Sequence, residues 1–485
     1  MANAYDEVRY PSQSQHYTHP AKMSALACLF DRPFAPAGNC RVLEIGCGDG
    51  TNLMSMAATA PQSQFVGFDL SEAATAAGRA AAAAAGLDNV ELSVMNILDA
   101  PDSLGEFDYV IAHGVYAWVP AEVREALMRL IGRVLAPSGL AFVSYNVMPG
   151  CRIRQMVRDI LRECLRDITD IGEKMSAAKQ CLEMFTATWS EGDPVQNALR
   201  TEVSKTLLRP PEVLFHDEMG EIFEPQFVGH VAAHGKKHGL QYLCDCQPLL
   251  SNEGFFPSDE KKALRERAGD DWVRFEQLHD FATLLRFRET VFCRDDGPIN
   301  RRADWTRLRK LHAQGRFVQA PAEEAKPGMF AFRIMSDMSL STPDASLADL
   351  LTRIGAVDPG SIPLANELTG QEMGDAILRL FLVGSLSLQA EALPFTLTPG
   401  ERPQVSGFAR VQAARGDEYI ASLRHTSVEV SGPEGRHFIT LLDGTRTRRD
   451  LVTAMVDFTG MPEQAVEARM NIALDGLAKS ALLTR

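Results

Sequence analysis

Beyond residue 40 the chain alternates short apolar runs with stretches whose apolar residues recur at helical spacing. Residues 41–45, Arg-Val-Leu-Glu-Ile, form a run too short for a helix and bounded by a glycine turn, so they predict a buried strand. Similar runs predict strands at 65–68, 90–95, 107–112 and 140–144. Between them the period changes. Leu53, Met54 and Met56 mark a helix after Gly50. Residues 71–85 are almost all alanine, the best helix former, with Ser71 to cap the start and Gly86 the end. A third helix at 121–134 ends before Pro137-Ser-Gly139. Five strands joined by helical crossovers predict a parallel, doubly wound α/β sheet.

The next hundred residues interrupt this rhythm. Residues 154–184 predict long helix, and the stretch to 209 is polar and helical. A helix at 224–238, a strand at 240–244, more helix at 260–285 and a strand at 288–293 follow. The reading is a seven-stranded Rossmann-like sheet completed late, its seventh strand antiparallel at the edge. Helical insertions then lie at about 151–210 and 250–285. Their extra apolar faces make them candidates for a lid or for a homodimer contact. After 295 the pattern becomes helices ending in short β-like pieces, with a break rich in Pro, Ala and charge at 321–327. This predicts two winged-helix-like α+β modules, 296–415 and 416–485, behind a catalytic domain at 1–295.

Composition narrows the partners. The 485 residues exceed what one core holds, in keeping with several domains. Sixty-three acidic against 49 basic residues give a net charge of −14, which repels nucleic acid and anionic membranes. The tightest basic cluster of the tail, Arg446-Thr-Arg-Arg449, is flanked by Asp443 and Asp450, so nucleic acid is not expected as a partner even for a winged helix. The chain opens on no basic-then-apolar leader and has no run of membrane-spanning length, so no membrane insertion is expected. Nine cysteines without a paired framework predict reduced thiols and a cytoplasmic location. Cys244 and Cys246 read as buried strand residues. His230, His234 and His238 share one helix face, yet no carboxylate motif accompanies them in sequence, so no metal is expected there.

The candidate chemistry sits at the first turn. Glu44-Ile-Gly-Cys-Gly-Asp-Gly50 joins the first strand to its helix, and Asp69 ends the second strand. Gly46, Gly48 and Gly50 permit a tight turn and close approach of a ligand. A phosphate-binding turn would present a helix N-terminus without an acid. Glu44 instead repels phosphate and favours a cation, while Asp69 suits the two hydroxyls of a ribose. A cationic nucleoside with a free ribose is S-adenosylmethionine (SAM). Residues 40–69 resemble the first motif and following acidic motif of class I SAM-dependent methyltransferases. The resemblance extends to a bacterial subgroup with a methyltransferase regulatory domain, here about 210–295, and a winged-helix C-terminal domain. It rests on Tyr5-Asp-Glu-Val-Arg-Tyr-Pro-Ser12, Thr18-His-Pro20, Ile111-Ala-His-Gly-Val-Tyr-Ala-Trp-Val-Pro120 and Val143-Ser-Tyr-Asn-Val-Met-Pro-Gly150. Further matches are His238-Gly-Leu-Gln-Tyr-Leu243, Phe287-Arg-Glu-Thr290 and Leu442-Asp-Gly-Thr-Arg446. The rickettsial protein-lysine methyltransferases look similar in this architecture, which implies a lysine amine of a protein as acceptor.

The expected cofactor residues are Glu44, Gly46, Cys47, Gly48 and Gly50 at the turn and Asp69 and Leu70 at the ribose. Asn96 and Ile97 are expected at the adenine with Asp99 as fallback, and His113 beside them. The expected catalytic residues follow strands four and five: His113, Tyr116, Trp118, Tyr145 and Asn146. Aromatic walls suit an amine, and His113 offers one titratable imidazole. Each also has a structural reading: His113 holding the loop, Tyr116 and Trp118 packing the helix after Pro120, Asn146 in a turn. An N-terminal arm with Tyr5, Tyr10 and His19 either folds over the cofactor or lies on the surface. A small metabolite as acceptor, or a SAM-binding scaffold with little catalysis, are the alternatives.

Overall fold

Seven strands form one mixed sheet in the computed structural model, which describes residues 4–247, 259–335 and 338–484. They are β1 (Arg41–Ile45), β2 (Gln64–Asp69), β3 (Val90–Val94), β4 (Phe107–Ala112), β5 (Leu135–Asn146), β6 (Leu240–Asp245) and β7 (Phe287–Arg294), in the order β3-β2-β1-β4-β5-β7-β6. The first five pair in parallel, and β7 runs antiparallel to both β5 and β6. The seventh strand is therefore not at the edge; β6 is. The reason is burial. Val291, Phe292 and Cys293 of β7 are all at most 2% exposed, and a strand covered on both faces belongs inside a sheet. β5 also starts earlier than its apolar run, directly after the helix Ala121–Val134, with its pairing to β4 shifting register between Phe107 and Tyr109.

Alternate strand residues feed two cores. Leu43, Ile45, Val110, Ala112 and Val143 pack with Leu127 and Ile131 of the Ala121–Val134 helix and Val228 and Val231 of the helix Val228–Lys237. Val42, Tyr109, Ile111 and Phe142 face the opposite way, into a core containing the helix Pro20–Leu29 and residues Leu308 to Leu388. The middle segment thus closes one face of the sheet. It contributes a small antiparallel sheet of His312–Gln314, Ile362–Pro363 and Ser387–Gln389, backed by the helices Ala345–Ala356 and Gln371–Leu382.

The last core takes in Val405, Ala409 and Ala413 as well as residues up to Leu483, so it begins before 416. Phe408 and Ala421 lean on Met54, Ala81 and Ala82 beside the first glycine turn. Between β5 and β6 the helices Arg152–Cys164, Ile171–Thr188, Pro194–Leu207 and Pro211–Met219 carry their own small core around Leu161, Leu182 and Leu199. Met184, Val195 and Leu208 are left exposed on them. Cys164 and Cys181 are disulfide-bonded, which corrects the expectation of reduced thiols for this pair while the other seven cysteines are free: packing of two successive helices brings together cysteines that no spacing motif paired. Cys244 and Cys246 are buried and free. In the second insertion, residues 250–258 lie outside the described residues; the rest is helical at Lys262–Ala268 and Trp272–Thr283. No helix among the described residues is long and apolar enough to cross a membrane.

Candidate active site

A cleft of about 940 Å³ opens over the C-terminal ends of β1, β2, β4 and β5, where ligands of open α/β sheets bind. Its floor is the first turn. Gly46 and Cys47 donate their N–H groups to the Phe68 carbonyl, at 2.9 and 3.1 Å, so the turn folds back onto β2. Gly46 has φ +73°, and a Cβ there would lie 2.7 Å from Val115 Cγ2, so only glycine fits between the turn and the loop after β4. Asp69 braces the same turn: its carboxylate accepts from Gly48 N at 2.8 Å and from Ser71 N at 2.9 Å.

Glu44, the penultimate residue of β1, is almost fully buried. Asn52 Nδ2 donates to its Oε1 at 2.9 Å, while Oε2 is buried with no hydrogen-bond partner. Burial pushes the Glu44 carboxyl up to about 8, only partly offset by the Asn52 hydrogen bond, with Asp69 and Asp49 adding to the rise. A bare buried carboxylate oxygen is a site for a cation or a hydrogen-bond donor. The amino end of SAM supplies both, so the residues present fit that cofactor.

Leu70, Asn96 and Ile97 also line the cleft. Asn96 Oδ1 is already used, capping the next turn by accepting from Leu98 N at 3.0 Å. Asp99, the fallback, does not line the cleft. From β4 and its loop come His113, Val115 and Trp118; from β5 comes Asn146. The His113 ring lies parallel to Phe142 at 6.1 Å and edge-on to Phe287 at 6.3 Å. Burial lowers its pKa to about 4, so the imidazole is neutral at ordinary pH. Asn146 Oδ1 is buried without a partner and is a second unused acceptor in the cleft. Trp118 packs on Phe223, with the Arg154 and Arg158 guanidinium groups each 5.5 Å from its ring.

Tyr116 and Tyr145 do not face this space. Their side chains turn into the core behind the sheet, where the rings meet at 5.8 Å. The Tyr116 hydroxyl bonds His234 Nδ1 at 2.7 Å and that of Tyr145 bonds Thr290 Oγ1 at 3.0 Å. Burial raises both phenols well above their usual range. The expectation that they touch the acceptor is corrected: strand alternation turns Tyr145 to the face opposite Ser144 and Asn146, and the hydrogen bond to His234 holds the loop residue Tyr116 in the same core.

The N-terminal arm, for which the sequence allowed either a cap or a surface position, lies over the turn: residues 9–13 and Gln15 close one side of the cleft. Arg9 pairs with Asp49 at 2.5 Å, and the Tyr10 ring meets His216 edge-on at 5.6 Å. His19 is instead buried as the cap of the helix Pro20–Leu29, accepting from Ala21 N at 3.1 Å. The side chain of Tyr5 lies outside the described residues. The outer wall belongs to the insertion and β7: Arg154, Glu202, Arg209, Asp217, Arg286 and Phe287. Its charges are matched, Arg286 to Glu202 at 2.8 and 2.5 Å and Arg154 to Glu218 and Asp217 at 2.8 and 3.1 Å.

Comparison with known proteins agrees with this geometry. Residues 42–139 match a methyltransferase domain, 210–294 a predicted methyltransferase regulatory domain, and 401–478 the C-terminal winged helix domain of PKMT. An uncharacterized protein of Rickettsia prowazekii is 34% identical over 64% of this chain, and the chain spans 56% of that relative's length. A second uncharacterized protein of that organism is 33% identical over 45% of this chain and 88% of its own length. The solved structure of PKMT2 from Rickettsia typhi superposes with a TM-score of 0.84, and its complex with AdoHcy with 0.85, each at 25% identity over 98% of this chain and all of theirs. With a glycine turn between two acids, a regulatory region that supplies β6 and β7, and a winged helix against the turn's far side, the chain belongs to the SAM-dependent methyltransferases of this three-part bacterial family.

Proposed function

We propose that this enzyme methylates an amine nitrogen, and that the acceptor is a lysine side chain of a protein. The observation that carries the reading is the likeness to PKMT2 through the insertion and both C-terminal units, well beyond the cofactor domain. Bound SAM supplies a methyl group already activated on a sulfonium, which an acceptor nitrogen takes by in-line displacement. Glu44, the glycine turn, Cys47, Asp69, Leu70, Asn96 and Ile97 hold that cofactor in the proposed site. The chain's other residues meet the acceptor's needs. A lysine must be neutral to attack, and desolvation against the Trp118 and Phe287 rings of the cleft disfavours the ammonium form. Asn146 Oδ1 offers an acceptor to the amine N–H, the neutral His113 lines the cleft beside it, and the proton of the methylated product leaves to solvent. Trp118 and Phe287 form apolar walls for the lysine stem. Tyr116 and Tyr145 support these loops from behind.

Incubation with methyl-labelled SAM and a bacterial lysate tests the reading. Label should appear in protein, on lysine after hydrolysis, and should vanish with Asp69→Ala. Label confined to small molecules would point to a metabolite acceptor. Tight SAM binding with no transfer would point to a regulatory protein. Either result overturns the lysine assignment.

A further inference from the structure

Behind the cleft, on the face covered by the helices Ala121–Val134 and Val228–Lys237, the fold brings Glu125 to a pair of histidines whose nearer member lies 109 residues away in sequence. Glu125 Oε2 lies 3.0 Å from His234 Nε2, and Glu125 Oε1 lies 2.9 Å from His238 Nε2. One ligand atom from each falls within 4.8 Å of the others, the one such group among the described residues. His234 and His238 are one helical turn apart, the spacing at which two imidazoles serve one ion. The carboxylate missing from their own helix is supplied by the neighbouring one.

We propose that Glu125, His234 and His238 bind a divalent transition-metal ion of the zinc type, which clamps the regulatory-region helix to the catalytic domain. Two nitrogens and one carboxylate oxygen suit that ion, with a fourth position left to water. Donors around a tetrahedral ion with bonds of about 2.0–2.1 Å sit roughly 3.3 Å apart, and one ligand atom from each of the three groups already lies within 4.8 Å of the others. The second ring nitrogen of His234 is already held by the Tyr116 hydroxyl at 2.7 Å, which aims Nε2 at Glu125 in the manner of an outer-shell partner. His238 Nε2 approaches Glu125 outside hydrogen-bond alignment, so that contact does not consume it. The backbone is preformed as well. A Cβ on Gly132 would lie 2.3 Å from the His238 carbonyl, so the two elements already touch at the site.

Access agrees. The histidine side chains are 15% and 16% exposed and that of Glu125 is 48%, which opens the group to solvent on the glutamate side. The link to function runs through Tyr116. It lies in the loop whose His113, Val115 and Trp118 line the cleft, so the ion would stiffen that loop from behind. This depends on no assignment of the acceptor.

Metal-free protein, stripped with a chelator, is titrated with zinc chloride and analysed by native mass spectrometry and thermal melting. One ion per chain and a raised melting temperature are expected. Glu125→Gln and His238→Ala should lose the ion and the shift while still binding SAM, which shows that they fold. Tyr116→Phe should weaken zinc binding by about tenfold. No bound zinc, or equal binding by wild type and His238→Ala, would show that the three groups form only a hydrogen-bonded bridge.

Discussion

Glu44 carries two oxygens with different fates, one taken by Asn52 and one bare in the cleft. With its pKa raised from 4.5 to about 8, chiefly by burial, the free enzyme at neutral pH holds this carboxyl mostly protonated. The unfolded chain would give that proton up. Glu44 therefore favours the folded state most below pH 4.5, and this contribution is lost as pH rises through about 8. A cation against Oε2 reverses the preference. SAM binding at pH 7 should release a proton from Glu44, and affinity should climb between pH 6 and 8 by up to about tenfold per unit. Calorimetry in buffers of different ionisation heat measures this release. Glu44→Gln should abolish it; the ligand's own amine titrates alike against both proteins, so equal release by both would refute the role. The sequence pointed to Glu44 through its place before the glycines. It did not point to the bare oxygen, which depends on Asn52 and the burial around both.

At the scale of elements, β7 is the decisive piece. Its Arg288 is fully buried and pairs at 2.7–2.8 Å with Asp245 of β6 and with Glu276 and Asp280 of the helix Trp272–Thr283, themselves fully buried. Burial pushes Glu276 up to about 7 and Asp280 to about 6, with Arg288 pulling both back. One guanidinium thus stitches two strands and a helix of the regulatory region. Arg288→Met should destabilise the protein by about 3–5 kcal/mol, because it strands buried carboxyls without their partner. Chemical denaturation reads this, and a loss under about 1 kcal/mol would remove the cluster from the fold's supports. Strands β6 and β7 were legible as apolar runs, but the placement of β7 was not. A local pattern gives a strand's existence, whereas its neighbours depend on which of its faces the rest of the chain covers.

For the whole molecule, the catalytic sheet is not a contiguous piece of chain. β5 bonds β7 along its far side from Leu140 to Asn146, and residues 308–388 cover one face of the sheet. A 1–150 fragment would leave a long unpaired strand and two bare apolar faces. It should aggregate or fail to fold; a soluble fragment with a cooperative melt would count against late completion. The last unit reaches further still. His425 bonds Ser55 Oγ at 2.9 Å and Thr18 Oγ1 at 3.2 Å; Asn52 Nδ2 bonds Thr18 Oγ1 at 3.1 Å and Glu44 Oε1 at 2.9 Å. A winged-helix residue is thereby joined to the first glycine turn through buried polar side chains.

Local order was enough to determine the strands and helices of the first half, the acidic glycine turn, Asp69 and hence the methyl donor, because each depends on residues a few positions apart. Tertiary structure alone decided which side chains share the cleft, that Tyr116 and Tyr145 face away from it, that Cys164 meets Cys181, and that Glu125 stands between two histidines. Those outcomes follow from how separate helices and strands bury their apolar faces together, and no short-range pattern encodes that packing.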